Sequence, residues 1–420
     1  ITNSAQNTFL GYESASTNIG DHNVAVGYNA LKGSGSNANS YNTAVGSRAM
    51  DTITTGANNT AVGFDSLGAI TTGGNNVAVG VYAGYKLTDG TKNVLIGGSA
   101  GENLDTNTNH NVFVGYQSGE HADGATVASV RNSYLGYQSG RYLDDGQDNV
   151  AIGYQAMYSN SAEGNDASNN VAIGRDSLKV ITDGDRNITI GAYAGDAITD
   201  TADTVLIGYD AGGAINHANG QGQIFIGAQA GHELTTGAHN LAIGYLALSS
   251  ADNAESHNTA IGSGSMQDVD NDSSDHNVAL GKGSLAGGSG ALTNNVAIGS
   301  GAMNGTGSIG GGDNIFIGKD SGGGSWATAT SSYNVAVGNA TMDASMNGAN
   351  WNTAIGNSAL GSLTEGDTNT AIGNNALLSL TTGSNNVAVG SASGDAITTG
   401  SRNVTIGRYA GSAITTGSHN

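Results

Sequence analysis

The sequence predicts an all-β chain, a parallel β-roll or β-solenoid of about 23 coils, and three observations predict it. A five-residue phrase closing on glycine recurs from end to end, as NVAVG at Asn386 to Gly390 and NVTIG at Asn403 to Gly407. Glycine makes up 69 of the 420 residues, more than twice the ~7 per cent of ordinary proteins. Proline is absent, as a backbone ladder with a neighbour on each side requires, because proline donates no hydrogen bond.

With the closing glycine as marker, 23 copies run from Gly11 to Gly407, among them Gly63, Gly80, Gly97 and Gly390. Ten of the 22 steps between markers are 17 residues, and the rest lie between 16 and 21. A period of this size is the signature of a solenoid, whose coils bury their apolar faces only by stacking. Residues 1–420 therefore read as one continuous repeat array. Asn420 falls 17 residues after Asn403, in register, so the chain also reads as a segment of a longer fibre.

Each element of the coil follows from its residues. Val77, Ala78 and Val79 alternate across a strand, so the two valines face one way and the alanine the other. Both faces are apolar; we expect the branched pair inside the coil and the small alanine outward, close against a neighbouring surface. Gly80 permits a geometry that a Cβ blocks. Ala or Ser follows three residues later in every copy but one, where Thr341 stands, then Gly in ten copies and Leu or Met in twelve, where we expect a short second strand. Thr-Thr-Gly or Thr-Asp-Gly closes the coil in a turn, as at Ile70 to Gly73. Asn stands four residues before the marker in 21 of 23 copies, Thr204 and Gln223 being the exceptions. Stacking at the ~4.8 Å strand spacing puts Asn59, Asn76 and Asn93, and likewise Asn386 and Asn403, into an amide ladder.

Composition excludes several functions. There is no cysteine, hence no disulfide framework, thiolate metal site or cysteine nucleophile. Thirteen Lys and Arg against 34 Asp and Glu give a net charge of −21, which opposes nucleic acid as a partner. No run approaches the ~20 apolar residues of a membrane span, so no membrane insertion is expected.

The repeat phrase resembles the head repeats of the YadA-like trimeric autotransporter adhesins, whose pattern runs close to N-S-V-A-I-G-x-x-S-x-A. Asn75 to Ala83, NNVAVGVYA, and Asn294 to Ala302, NNVAIGSGA, stand nearest to it. Similar phrases with Thr-Thr-Gly connectors occur in tail-fibre proteins of phages and environmental bacteria. The resemblance implies a left-handed β-roll, three chains side by side, on an extracellular, cell-surface or virion fibre that adheres to a cell-surface glycan or protein receptor. The period departs from it, being 17 or more here against about 14 in those heads. Trimerisation also has support in the residues, since a thin coil leaves the alanine face needing a cover, and three chains packing alanine face to alanine face supply it. The expected partner is therefore the chain itself, as a homotrimer.

Candidate sites are few. Six of nine histidines precede the repeat Asn, and His239, His257 and His276 do so on successive coils, where their rings form a column of candidate metal ligands. The same slot elsewhere holds Asn58, Lys92, Arg131, Tyr333 and Trp351. That fits a polar turn position, so no metal and no cofactor are expected. Tyr116, Tyr137 and Tyr154, one residue after the marker, are the candidate ligand-binding residues, either docking sugars or packing on the next coil. Asp89, Asp145, Asp183 and Asp185 lie in the glycine turns, as in calcium-binding β-rolls, but Thr, Ser and Asn mostly fill that place. Gly305, Gly307 and Gly310 spell a dinucleotide motif without its strand-to-helix context. Asp144 with Asp145 marks no facing catalytic pair, and no enzyme is expected. Thr pairs such as Thr54, Thr71, Thr235, Thr381, Thr398 and Thr415 line one edge. The alternative to an adhesive fibre is thus a monomeric solenoid that binds ice or calcium.

Overall fold

The computed structural model describes residues 6–18, 20–34, 38–122, 130–159, 165–216, 220–251, 254–326 and 329–420. It is an all-β parallel solenoid, with no α-helix among the described residues. Nor does any helix among them have the length and apolarity to cross a membrane. Two compact units make up the chain, Ile1–Thr204 and Val205–Asn420. In the first, eleven three-residue strands from Thr8–Leu10 to Ile188–Ile190 pair in parallel, each with the next along the chain. In the second, twelve do so from Val205–Ile207 to Val404–Ile406. A further two-residue pair there joins Leu292–Thr293 to Gly311–Gly312.

Register is in phase with the phrase: Val77 sits on Val94, Ala78 on Leu95 and Val79 on Ile96. Each slot of the coil therefore stacks on its own counterpart. The marker glycine is obligatory in this arrangement. Gly80 has a φ of 143°, and a Cβ on it would lie 2.3 Å from the carbonyl oxygen of Gly97 on the next coil.

The strand faces are the reverse of expectation. Ala78 is completely buried, whereas Val79 is 36 % exposed, and the same inward alanine and outward branched pair recur in coil after coil. The expected packing of chains through alanine faces is thereby overturned. The expected second strand is also absent, because residues two and four after the marker both take left-handed φ, as Asp65 (52°) and Leu67 (49°) do. A strand needs φ near −120° at every residue. This segment instead winds as consecutive turns, and it swings the Leu or Met of the fourth position into the interior, where Leu67, Met50 and Met157 are fully buried.

That swing explains the inward alanine. Strand centre and turn face each other across an interior too thin for two large side chains. All twelve coils with Leu or Met in the turn have Ala at the strand centre. Where the strand centre is Phe113, Tyr134, Phe225 or Phe316, the turn residue is Gly119, Gly140, Gly231 or Gly322. A Cβ on Gly119 would come within 2.4 Å of the Phe113 ring, and one on Gly231 within 2.1 Å of Phe225. At Gly84 the gap is filled by Leu67 and Leu95 from the coils on either side. In the coils so paired, one large side chain fills the core from one wall or the other.

Phe113→Ala is expected to destabilise its unit by about 3–5 kcal/mol, and Gly119→Leu alone to destabilise through the clash. The double variant Phe113→Ala, Gly119→Leu recreates the Ala and Leu pairing of other coils. Its unfolding midpoint should lie above those of both single variants, with a favourable coupling of about 2 kcal/mol; additive losses would refute the exchange.

Candidate binding surface

The buried Asn slot is the spine on which the surface is mounted. The Asn76 backbone N–H donates to Asn59 Oδ1 at 3.0 Å, and its Nδ2 donates to the same oxygen at 3.1 Å and to the Gly90 carbonyl at 2.8 Å. Asn93 repeats this on Asn76 and on the Thr108 carbonyl. In the second unit Asn386 and Asn403 do the same on Asn369 and Asn386. Each amide oxygen accepts from the next coil while each amide nitrogen ties strand to turn within its own coil. Thr204 keeps part of the rung, its Oγ1 donating to Asn187 Oδ1 at 2.8 Å.

A second ladder escapes sequence reading. Two residues before the Asn, short polar side chains accept from the backbone N–H of the preceding coil. Ser384 N–H donates to Ser401 Oγ at 3.0 Å, Asn350 N–H to Asp367 Oδ1 at 2.8 Å, and Ser168 N–H to Asp185 Oδ1 at 2.8 Å. The mixture of Ser, Asp, Asn and Thr hides the slot, although all of them are short acceptors. Asp185 is therefore a cap for a neighbouring turn; Asp89, four residues before Asn93, instead accepts from the N–H of Asn107 on the following coil at 2.7 Å.

Between these ladders the slot immediately before the Asn takes left-handed φ throughout, near 60° at Asn58, Lys92, His110 and Arg131. It points its side chains outward in columns. Arg131 pairs with Asp148 at 2.6 Å and Arg186 with Asp203 at 2.6 Å, holding both carboxyls below the ordinary range. His239 and His257 have ring centroids 5.3 Å apart with planes tilted by 42°, while His257 and His276 lie 4.9 Å apart and parallel within 1°.

On the other side of the strand, the residue after the marker is exposed. Tyr116 stacks on Tyr137 with centroids 5.7 Å apart, and Tyr137 on Tyr154 at 5.3 Å with planes 5° apart. The rings cover one another's faces, which leaves edges and hydroxyls as the outward chemistry of this column. Gln117, Gln138 and Gln155 beside them form an amide ladder, Gln138 Nε2 donating to Gln117 Oε1 at 2.7 Å and Gln155 Nε2 to Gln138 Oε1 at 2.8 Å. In the regular turn pairs the first Thr spends its hydroxyl on the next coil, as Thr54 Oγ1 donates to the Thr71 carbonyl at 3.0 Å, and Thr381 to that of Thr398 at 3.0 Å. Those hydroxyls are unavailable to order a flat layer of water.

Between the two flanks runs the outward strand face. Its slot before the marker is always Val, Ile or Leu, and no strand position in either unit carries a charged residue. Ile96 is 38 % and Leu135 51 % exposed, each shielded chiefly by its own counterparts above and below. Among the described residues no three His, Asp or Glu side chains converge on one point as metal ligands. Carboxylates do gather at one turn: burial, and then the charges of Asp145, Asp183, Asp144 and Asp185, push the Asp166 carboxyl above its ordinary value. Neither the family models nor the curated proteins compared with the chain give a match to it.

Two outcomes test the site. Asn76→Val, which deletes a whole rung and strands the Asn93 N–H, should destabilise by about 3 kcal/mol or more, and Asn76→Thr by clearly less, as urea unfolding would read. For Asp166, a raised pKa means that the fold favours the neutral acid. Its contribution is present below the ordinary carboxylate range and lost as pH rises through the raised value. Asp166→Asn should therefore raise the melting temperature by about 1–2 °C at pH 7 and leave it unchanged near pH 3.

Proposed function

We propose that the chain is a segment of the shaft or head of an extracellular fibre, a homotrimer built on a 17-residue coil, that spans distance and attaches to a surface. It binds and spans; it does no chemistry. One observation carries this reading, the uncovered aliphatic face that runs the length of each unit. Eleven strands at ~4.8 Å give a stripe about 50 Å long and roughly 10 Å wide. Each unit thus presents about 500 Å², as large as the largest apolar patch on a typical monomer. Charge supports the same occupant, because the −21 of each chain lies entirely outside the strand positions. Copies can meet stripe to stripe without bringing like charges into contact.

Length and repetition are then the function. A stack of hydrogen-bonded coils is stiff along its axis, and where columns form on its flanks, as Tyr116, Tyr137 and Tyr154 or Gln117, Gln138 and Gln155 do, they present the same group on successive coils, which suits weak multivalent attachment to a repetitive surface. Light scattering on the purified chain should give three times the 41.6 kDa of one chain. Leu135→Glu with Ile152→Glu, in the middle of the first unit's stripe, should shift the mass towards a single chain with the far-ultraviolet dichroism retained. A wild-type mass of 41.6 kDa would overturn the proposal.

A further inference from the structure

We propose that His257 and His276 form a chelating pair for a divalent transition metal ion of borderline softness, copper(II) before zinc(II). The pair is preorganised by the backbone. His257 N–H donates to the Ala238 carbonyl at 3.0 Å and His276 N–H to that of Ser256 at 3.2 Å. Both residues have a φ of 60°, and the residues that follow them, Asn258 and Asn277, are consecutive rungs joined by an N–H to Oδ1 bond of 2.9 Å. Their Cα to Cβ directions are therefore parallel and one strand spacing apart. The rings are exposed, with centroids 4.9 Å apart.

Two imidazole nitrogens bound to one ion at ~2.0–2.1 Å each stand at most ~4 Å apart. A modest rotation of one exposed ring closes that gap, and the 42° tilt of His239 against His257 shows the rotation this slot allows. With no third His, Asp or Glu converging among the described residues, water completes the coordination and the site stays open. Imidazole is a ligand for copper and zinc rather than for magnesium, and copper(II) binds a given nitrogen site more tightly than zinc(II). The steps around this column are lengthened, 18 residues from Gly244 to Gly262 and 19 from there to Gly281. A bound ion would clamp consecutive coils whose steps exceed the 17-residue repeat.

Calorimetric titration of the full chain at neutral pH, with copper(II), zinc(II) and magnesium(II), tests the pair. Copper is expected to bind more tightly than zinc, and magnesium to give no heat. His257→Asn and His276→Asn should each weaken copper binding at least tenfold. His22→Asn, removing a histidine that stacks on Tyr41 at 4.7 Å and not on another imidazole, should leave it unchanged. Asn already occupies this slot with the same φ at Asn58 and Asn75, so the metal-free melting temperatures should match. Copper affinity that survives the double His257→Asn, His276→Asn variant, or that falls as much with His22→Asn, overturns the proposal.

Discussion

The strand residues of a stacked coil, and the turn that follows them, sit on their own counterparts, about 4.8 Å away along the strand-pairing direction, and most of this protein follows from what tolerates that. A side chain placed on a copy of itself must be self-complementary. Asn is, because it accepts at one atom and donates at another. Thus Asn76 takes two bonds from Asn93 while giving one to Asn59 and one to Gly90. Gly is required where a carbonyl of the next coil passes within reach of a Cβ. Aromatic rings are self-complementary as stacks, buried at Phe113 on Tyr134 and exposed at Tyr137 on Tyr154. A charge is not. Only 11 per cent of residues are charged, and several that stack pair opposite signs, as Arg48 on Asp65, Arg131 on Asp148 and Arg186 on Asp203.

The same constraint explains why a parallel solenoid can put valine and isoleucine outside. On an ordinary surface each would be fully wet, but here every aliphatic side chain is flanked by two others, and Ile96 keeps only 38 % of its exposure. The inside has a different limit. The left-handed turn after the marker, about 1 kcal/mol of backbone strain at each non-glycine residue, brings a Leu or Met directly opposite the strand centre. Alanine is what fits there. Volume is conserved across the pair, so the twelve coils with Leu or Met opposite Ala and the four with an aromatic residue opposite Gly are two solutions of one packing problem.

How much of this was legible follows from which signals are periodic in residue type. The strand positions, the marker glycine and the Asn ladder repeat the same letters, so the parallel stack and its register could be read directly. Inside and outside could not, because Val-Ala-Val is apolar on both faces and alternation alone assigns no direction. What would have assigned it is the covariation within a coil of Ala78-type and Leu67-type positions, a relation between two slots six residues apart and not a property of either. The second ladder, Ser168 to Asp185 and Ser384 to Ser401, repeats a hydrogen-bonding role in changing letters. The turn carboxylates looked like cation ligands for the same reason: a short acceptor before a glycine turn is equally a cap for the neighbouring coil's N–H. The histidine and tyrosine columns were legible as columns. Their ring faces were not, because the angle between planes is set by side-chain rotation that the repeat does not encode.

Self-stacking also limits the kind of site such a molecule can hold. A catalytic or deep binding pocket needs unlike groups converging on one point, and a stack of coils supplies like groups along a line. The exceptions arise only where neighbouring coils differ, as where Glu120 and His121 on one coil meet Arg141 and Tyr142 on the next. Elsewhere a ligand meets a row of equal, shallow contacts, each worth little by itself. Affinity then grows with the number of coils engaged, because each contact after the first is intramolecular and its effective concentration is set by the fixed spacing of the row. A rigid spacing selects partners that are themselves periodic, so the proposed fibre would discriminate by repeat distance and by length before it discriminates by the chemistry of any one residue.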